Sequence, residues 1–107
     1  MCNKHVLTSK IHQFSQRDIW WYAIPPLGNK YRSGDSIEFR MEDFDTGKAG
    51  FFSIRLKGIW LERVTTSSTD RRGYVHVHIW RSIGGKDCKI CFGSRDRGEY
   101  LIDVELE

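Results

Sequence analysis

Gly34-Asp-Ser-Ile-Glu-Phe-Arg-Met-Glu-Asp-Phe-Asp-Thr-Gly-Lys-Ala-Gly-Phe-Phe-Ser-Ile-Arg-Leu-Lys-Gly-Ile-Trp-Leu-Glu-Arg-Val64 is the stretch that decides the fold class. Ile37, Phe39 and Met41 alternate with Glu38, Arg40 and Glu42, and after a turn Phe52, Ile54 and Leu56 alternate with Ser53, Arg55 and Lys57. Period-two alternation sends successive side chains to opposite faces, so the stretch predicts two half-buried antiparallel strands. The connection Asp45-Thr-Gly-Lys-Ala-Gly50 supplies glycines for positive φ and an aspartate able to bond its own backbone. Gly58-Ile-Trp-Leu-Glu-Arg-Val64 is expected to extend or follow the second strand.

The same signals recur on both sides. His5 to Phe14 reads as a strand, although Leu7, Ile11 and Phe14 also suit one helical face. Ile19-Trp-Trp-Tyr-Ala-Ile24 is an apolar run of strand length, stopped by Pro25-Pro26-Leu-Gly28. Tyr74-Val-His-Val-His-Ile-Trp80 alternates throughout, Gly84-Gly85 turns the chain into Asp87–Phe92, and Glu99–Glu107 places Tyr100, Ile102, Val104 and Leu106 inward. Six to seven short strands with evenly spaced turns predict an all-β domain, a small antiparallel barrel or sandwich with room for one short helix. Without an internal repeat or linker, residues 1–107 read as a single domain.

Composition bounds the rest. An apolar content of 39 % with 2 prolines excludes a disordered chain, and no run reaches the roughly 18 apolar residues of a membrane helix. Met1-Cys-Asn-Lys-His5 lacks a signal peptide's apolar core, and three cysteines suit reduced thiols, so the expected location is cytoplasmic. Residues 96–107 hold five acids against one arginine, whereas residues 1–95 hold sixteen basic against nine acidic residues. A basic body attracts polyanions, but a surplus of this size is ordinary for soluble domains.

Three constellations carry candidate chemistry. Tyr74, His76, His78 and Trp80 share one strand face near Arg71, Arg72 and Arg81, an aromatic row edged with cations; Lys30 and Arg32 add charge from a separate loop. Single-stranded nucleic acid is held by base stacking on such rings and by cations on phosphates, so RNA or single strands are the first expected partner. The alternative is that the row packs against another layer. Trp20, Trp21, Tyr22 and Trp60 suit an interface hot spot, which points instead to a protein-interaction module such as a phage- or virus-type inhibitor. Cys88-Lys-Ile-Cys91-Phe-Gly93 has zinc-knuckle spacing, and Cys2 and His5 could complete a structural zinc site, against the plainer reading of buried free cysteines. His76 and His78 also share a face at about 7 Å, a separation open to a metal, without a third ligand nearby in sequence. Enzyme chemistry has the least support: the chain holds no Gly-rich phosphate loop, no Gly-x-Ser-x-Gly and no His-Glu-x-x-His, and no catalytic residue is assigned.

Tyr31-Arg-Ser-Gly34-Asp35-Ser-Ile-Glu-Phe39-Arg40, with Asp43-Phe-Asp45-Thr46-Gly47-Lys48 and Phe52–Ile59, resembles part of the ASCH group of PUA-like barrels. Those domains place a Gly-Asp before a strand, then a polar Thr-Gly turn and a returning strand. The likeness covers about residues 31–59 and implies a PUA-like barrel with a leaning toward RNA. The family's upstream Gly-x-Lys segment leading to Glu-x-Arg is replaced here by Ile19–Gly28, so no catalytic residue carries over.

Overall fold

The computed structural model describes residues 3–26, 30–44, 47–93 and 99–107, the side chains of residues 43 and 44 excepted. The quoted stretch forms β4 (Ser36–Phe44) and β5 (Lys48–Arg55), antiparallel with Ile37 opposite Ile54 and Phe39 opposite Phe52. Gly47 turns the chain at φ +81°, a left-handed conformation that glycine adopts without a Cβ penalty. Asp45 and Thr46 of this turn lie outside the described residues.

The all-β class stands, with one short helix among the described residues. β1 (Lys4–Ser9), β4, β5 and β9 (Glu105–Leu106) form one sheet in the order β1-β4-β5-β9. The second has the order β2-β3-β6-β7-β8, from β2 (His12–Phe14), β3 (Arg17–Ile24), β6 (Val75–Ser82), β7 (Cys88–Phe92) and β8 (Tyr100–Ile102). Seven chain segments give nine strands among the described residues because the first and last segments each break in two. β1 pairs in the first sheet and β2 in the second, and β8 and β9 make the reverse crossing. Strands that switch sheets turn both corners and bring the two sheets toward closure, which limits exposed edges. The pairing is not wholly antiparallel, since β1 runs parallel to β4 from Lys4 opposite Ser36 to Ser9 opposite Met41.

The core lies between the sheets. The first contributes Ile37, Phe39, Met41, Ile54 and Leu56; the second contributes Trp20, Tyr22, Ile24, Val75, Val77, Ile79, Cys88, Ile90, Phe92 and Ile102. Trp20 Nε1 donates to the carbonyl of Glu42 at 3.1 Å and Tyr22 Oη to that of Arg40 at 2.6 Å, so both rings bury without an orphaned polar tip. Leu106, expected inward, is exposed because β9 pairs at a sheet edge.

Gly58–Val64 is not a strand continuation but part of α1 (Gly58–Thr66). Trp60, Leu61 and Val64 stand on its core side, a spacing that fits one helical face. The Trp60 ring lies 5.8 Å from Phe52, 6.0 Å from Phe92 and 5.6 Å from Tyr100, which joins the two sheets through the helix. The hydroxyls of Thr65, Thr66 and Ser67 donate to carbonyls of Leu61, Glu62 and Arg63, back-bonding that accompanies the helix end.

Candidate nucleic-acid interface

In β3, Asp18, Trp20, Tyr22 and Ile24 point inward, while Arg17, Ile19, Trp21 and Ala23 point out. In β6, Val75, Val77, Ile79 and Arg81 point inward and His76, His78, Trp80 and Ser82 point out. In β7, Cys88, Ile90 and Phe92 point inward and Lys89 and Cys91 point out. Register then fixes the outer face. Ile19, Trp80 and Lys89 share one row, and Trp21, His78 and Cys91 share the next.

Trp21 is 58 % exposed and meets His78 edge-on at 5.3 Å and His12 of β2 at 5.8 Å. Trp80 is held differently. The Arg17 guanidinium lies 4.1 Å from its ring centroid and the Lys89 ammonium 5.2 Å, contacts that fix two cations against an aromatic surface. Lys89 also reaches Glu99 at 3.8 Å. The Cys91 thiol lies 4.0 Å from His78 Nδ1. Burial, with a smaller contribution from the neighbouring His76, holds the His78 imidazole below its ordinary pKa, so it favours the neutral form.

At the other end of β6, Asp70 organises a tight loop. Its carboxylate accepts from the backbone N–H of Arg72 at 2.8 Å and of Tyr74 at 3.0 Å, and lies 3.0 Å from His76 Nε2. The Tyr74 N–H bond leads, with His76 and Arg72 adding and burial opposing, and the Asp70 pKa falls below the usual range. Gly73 takes φ +83° there, and a Cβ would meet Pro26 Cγ at 3.1 Å. Arg72 lies over the Tyr74 ring at 4.7 Å, and Arg71 is exposed beside it. His76, His78 and Trp80 share the outer face of β6 as expected, half-buried to exposed, with Tyr74 just before the strand and Arg71 and Arg72 at that end.

Several expected site residues stand elsewhere. Arg81 is on the inner face, its Nε 3.0 Å from Asp18 Oδ2 in a buried pair, and so is removed from any phosphate set. The reason is parity: Arg81 follows Trp80 and must point the other way. Lys30 and Arg32 are exposed but flank buried Tyr31 in the loop before β4, outside the rows of the sheet. The proposed patch of Trp20, Trp21, Tyr22 and Trp60 is not one surface. Trp20 and Tyr22 are core, Trp60 packs under the helix, and Trp21 alone faces out.

Of the expected zinc ligands, the two cysteines of β7 are not brought together. Cys88 and Cys91 project to opposite faces of β7, as residues three apart on a strand must. Burial pushes the Cys88 thiol up to about 11. His5 Nε2 is 3.0 Å from Asp35 Oδ2, and Cys2 lies outside the described residues. Among the described residues, no group of three or more His, Cys, Asp or Glu is placed to hold an ion. Nor is any helix among them long and apolar enough to cross a membrane.

Arg17, Lys89 and the placement of Trp21 beside the β6 row escaped the sequence reading, which set Trp21 in a separate protein-binding patch. The signal was available in the parity of Arg17-Asp-Ile-Trp-Trp-Tyr-Ala-Ile24: Asp18 shares a face with Trp20 and Tyr22, so Arg17 and Trp21 share the other.

The fold is a two-sheet β domain whose five-stranded sheet presents an aromatic, cation-bearing outer face. Compared with family models, curated proteins and solved structures, the chain matches none.

Proposed function

We propose that the outer face of the five-stranded sheet binds single-stranded nucleic acid, RNA in the first instance. The observation that carries this reading is the placement of Trp21, His78 and Trp80 on adjoining rows with Arg17 and Lys89 against the same rings. Aromatic side chains stack unpaired bases at about 1–3 kcal/mol each, and nearby cations take the phosphates. Arg71 and Arg72 extend the cationic path beyond Tyr74. The likeness of residues 31–59 to the ASCH group leans the same way by analogy.

Binding of a short labelled single strand, followed by fluorescence anisotropy across a salt series, tests the reading. With three or four phosphates engaged by Arg17, Lys89, Arg71 and Arg72, the slope of log affinity against log salt is expected near −2 to −3, at roughly −0.7 per phosphate. Duplex of the same sequence, whose base faces are occupied, binds more weakly. No binding, or affinity indifferent to salt, refutes the proposal.

A protein partner is the second reading, favoured by Phe14 at 71 % and Leu101 at 66 % exposure on the edge strands of this same sheet. It predicts a specific protein recovered from nuclease-treated extract and released by Phe14→Ser or Leu101→Ser, at positions that pair with Arg17 and Lys89 on this sheet.

A further inference from the structure

We infer that the two outward tryptophans divide the labour of that surface: Trp21 receives a base, whereas Trp80 receives none and instead positions Arg17 and Lys89 for the adjoining phosphates. The inference rests on the nucleic-acid reading above and assigns roles within it.

The geometry around each ring makes the division. A stacked base needs van der Waals contact across an aromatic face. At Trp80 the Arg17 guanidinium, 4.1 Å from the centroid, already occupies that space, and Lys89 approaches to 5.2 Å from the opposite neighbouring strand. A base entering there would have to expel a cation that the bound phosphates require. Trp21 meets only His12 and His78 among the described rings, and its 58 % exposure leaves ring surface open to solvent. The two imidazoles stand beside it with ring nitrogens able to donate to, or accept from, the edge of a stacked base.

Spacing allows both roles in one ligand. Ile19 pairs with Trp80 and Trp21 with His78, so Trp21 and Trp80 are diagonal neighbours, about 7–8 Å apart at the backbone. Arg17 lies on the far side of Ile19 from Trp21 along β3. A strand laid across the face thus meets an open ring and then a pair of cations, with one unpaired base on Trp21 and its flanking phosphates toward Arg17 and Lys89. The ligand class is single-stranded, because a base inside a duplex has no free face to offer.

The test is anisotropy with a short uridine oligonucleotide and its thymidine counterpart, which separates RNA from DNA. Trp21→Ala is expected to weaken binding about 5- to 150-fold, the loss of one stacked base, while the salt slope stays as in the wild type. Trp21→Phe restores most of the loss. Trp80→Ala frees the two cations from their support and is expected to flatten the salt slope by about one phosphate's worth, as does Arg17→Gln. Trp80→Phe keeps a ring under Arg17 and holds the slope near wild type, which guards against misreading a folding defect. Equal losses from Trp21→Ala and Trp80→Ala, both with unchanged slope, overturn the division while leaving nucleic-acid binding intact. Absence of wild-type binding overturns both it and the reading beneath it.

Discussion

Removing Arg81 separates the two faces of β6 in a single experiment. Arg81 and Asp18 are directly opposed across the β3–β6 ladder, with side chains 10 % and 7 % exposed and Nε 3.0 Å from Oδ2. The second carboxylate oxygen of Asp18 accepts from Gln13 Nε2 at 3.1 Å, so the pair is hydrogen-bonded as well as charged. At an effective dielectric near 20 such a contact is worth roughly 4–5 kcal/mol of attraction, and the cost of drying two ions offsets most of it. The asymmetry lies in breaking it. Arg81→Met leaves Asp18 charged and buried without its partner, at a cost of about 3–5 kcal/mol. For a domain of this size that lowers Tm by roughly 12 °C or more. Asp18→Leu takes the paired carboxylate away from the buried Arg81 and is also destabilising, whereas the double variant restores an apolar pair and returns most of the loss. Thermal and urea unfolding of the four proteins measure the cycle. Arg81→Met is also expected to leave oligonucleotide affinity unchanged at temperatures where it remains folded, because Arg81 points away from the binding face. Single variants costing less than about 1 kcal/mol would show the pair to be effectively solvated, and the argument from its burial would fall.

Two further outcomes follow from local chemistry. The Asp35 carboxylate accepts from the backbone N–H of Asn3 and of Arg32, both at 3.0 Å, and pairs with His5; these bonds outweigh its burial and bring its pKa down to about 2. A folded pKa below the unfolded value contributes stability present above the ordinary carboxylate range and lost as pH falls toward about 2, so wild type is expected to lose stability in that window and Asp35→Asn to lose less of it, measured by urea unfolding at stepped pH. The β2–β3 hairpin turns at Ser15 and Gln16, both at positive φ (51° and 61°), the pattern of a type I′ turn that favours Asn-Gly; Ser15→Asn with Gln16→Gly is expected to raise stability by about 0.5–1 kcal/mol, and a loss would show that the present side chains hold the turn by contacts of their own.

How much of this was legible from the residues depended on whether one strand or several decided the question. The pairing of β4 with β5 was legible, because Ile37, Phe39 and Ile54 alternate against polar neighbours within a short span. Lys48–Gly50, read as turn, belong to β5, and the register shift between Met41 and Phe44 left no pattern. The helix was not legible. Ile59, Val64 and two threonines give Gly58–Thr66 a strand-like composition, and what makes it helical is the tertiary gain of seating Trp60 among Phe52, Phe92 and Tyr100. The break within residues 99–107 was hidden for a related reason: alternation continues through the crossing, while the partners change from β7 to β5. In the site, the outward row of β6 was read correctly from its own parity. Its companions Trp21, Arg17 and Lys89 come from strands adjacent only through long-range pairing, so no local pattern joins them.

The two outer faces of the molecule provide an internal comparison. On the first sheet, Glu38 is buried beneath a charged network: Lys4 Nζ at 2.9 Å, Arg40 Nη1 at 3.0 Å, and Arg40 continuing to Glu107. Burial alone would raise the Glu38 pKa, but the bonds and charges of Lys4 and Arg40 overcome it and hold it below its ordinary value. That face matches Lys4 and Arg40 with carboxylates. On the second sheet the cations Arg17 and Lys89 lean on an indole, Lys89 reaching Glu99 as well, and Trp21 is largely open to water. A tryptophan in that setting contributes little to the fold that a threonine or lysine of good strand character could not supply. The core requirement is met by the inward parity of β3 and β6, and it places no demand on the outward one. The proposed nucleic-acid surface would account for the outward choice, since cations laid against exposed rings complement an anionic, ring-bearing ligand.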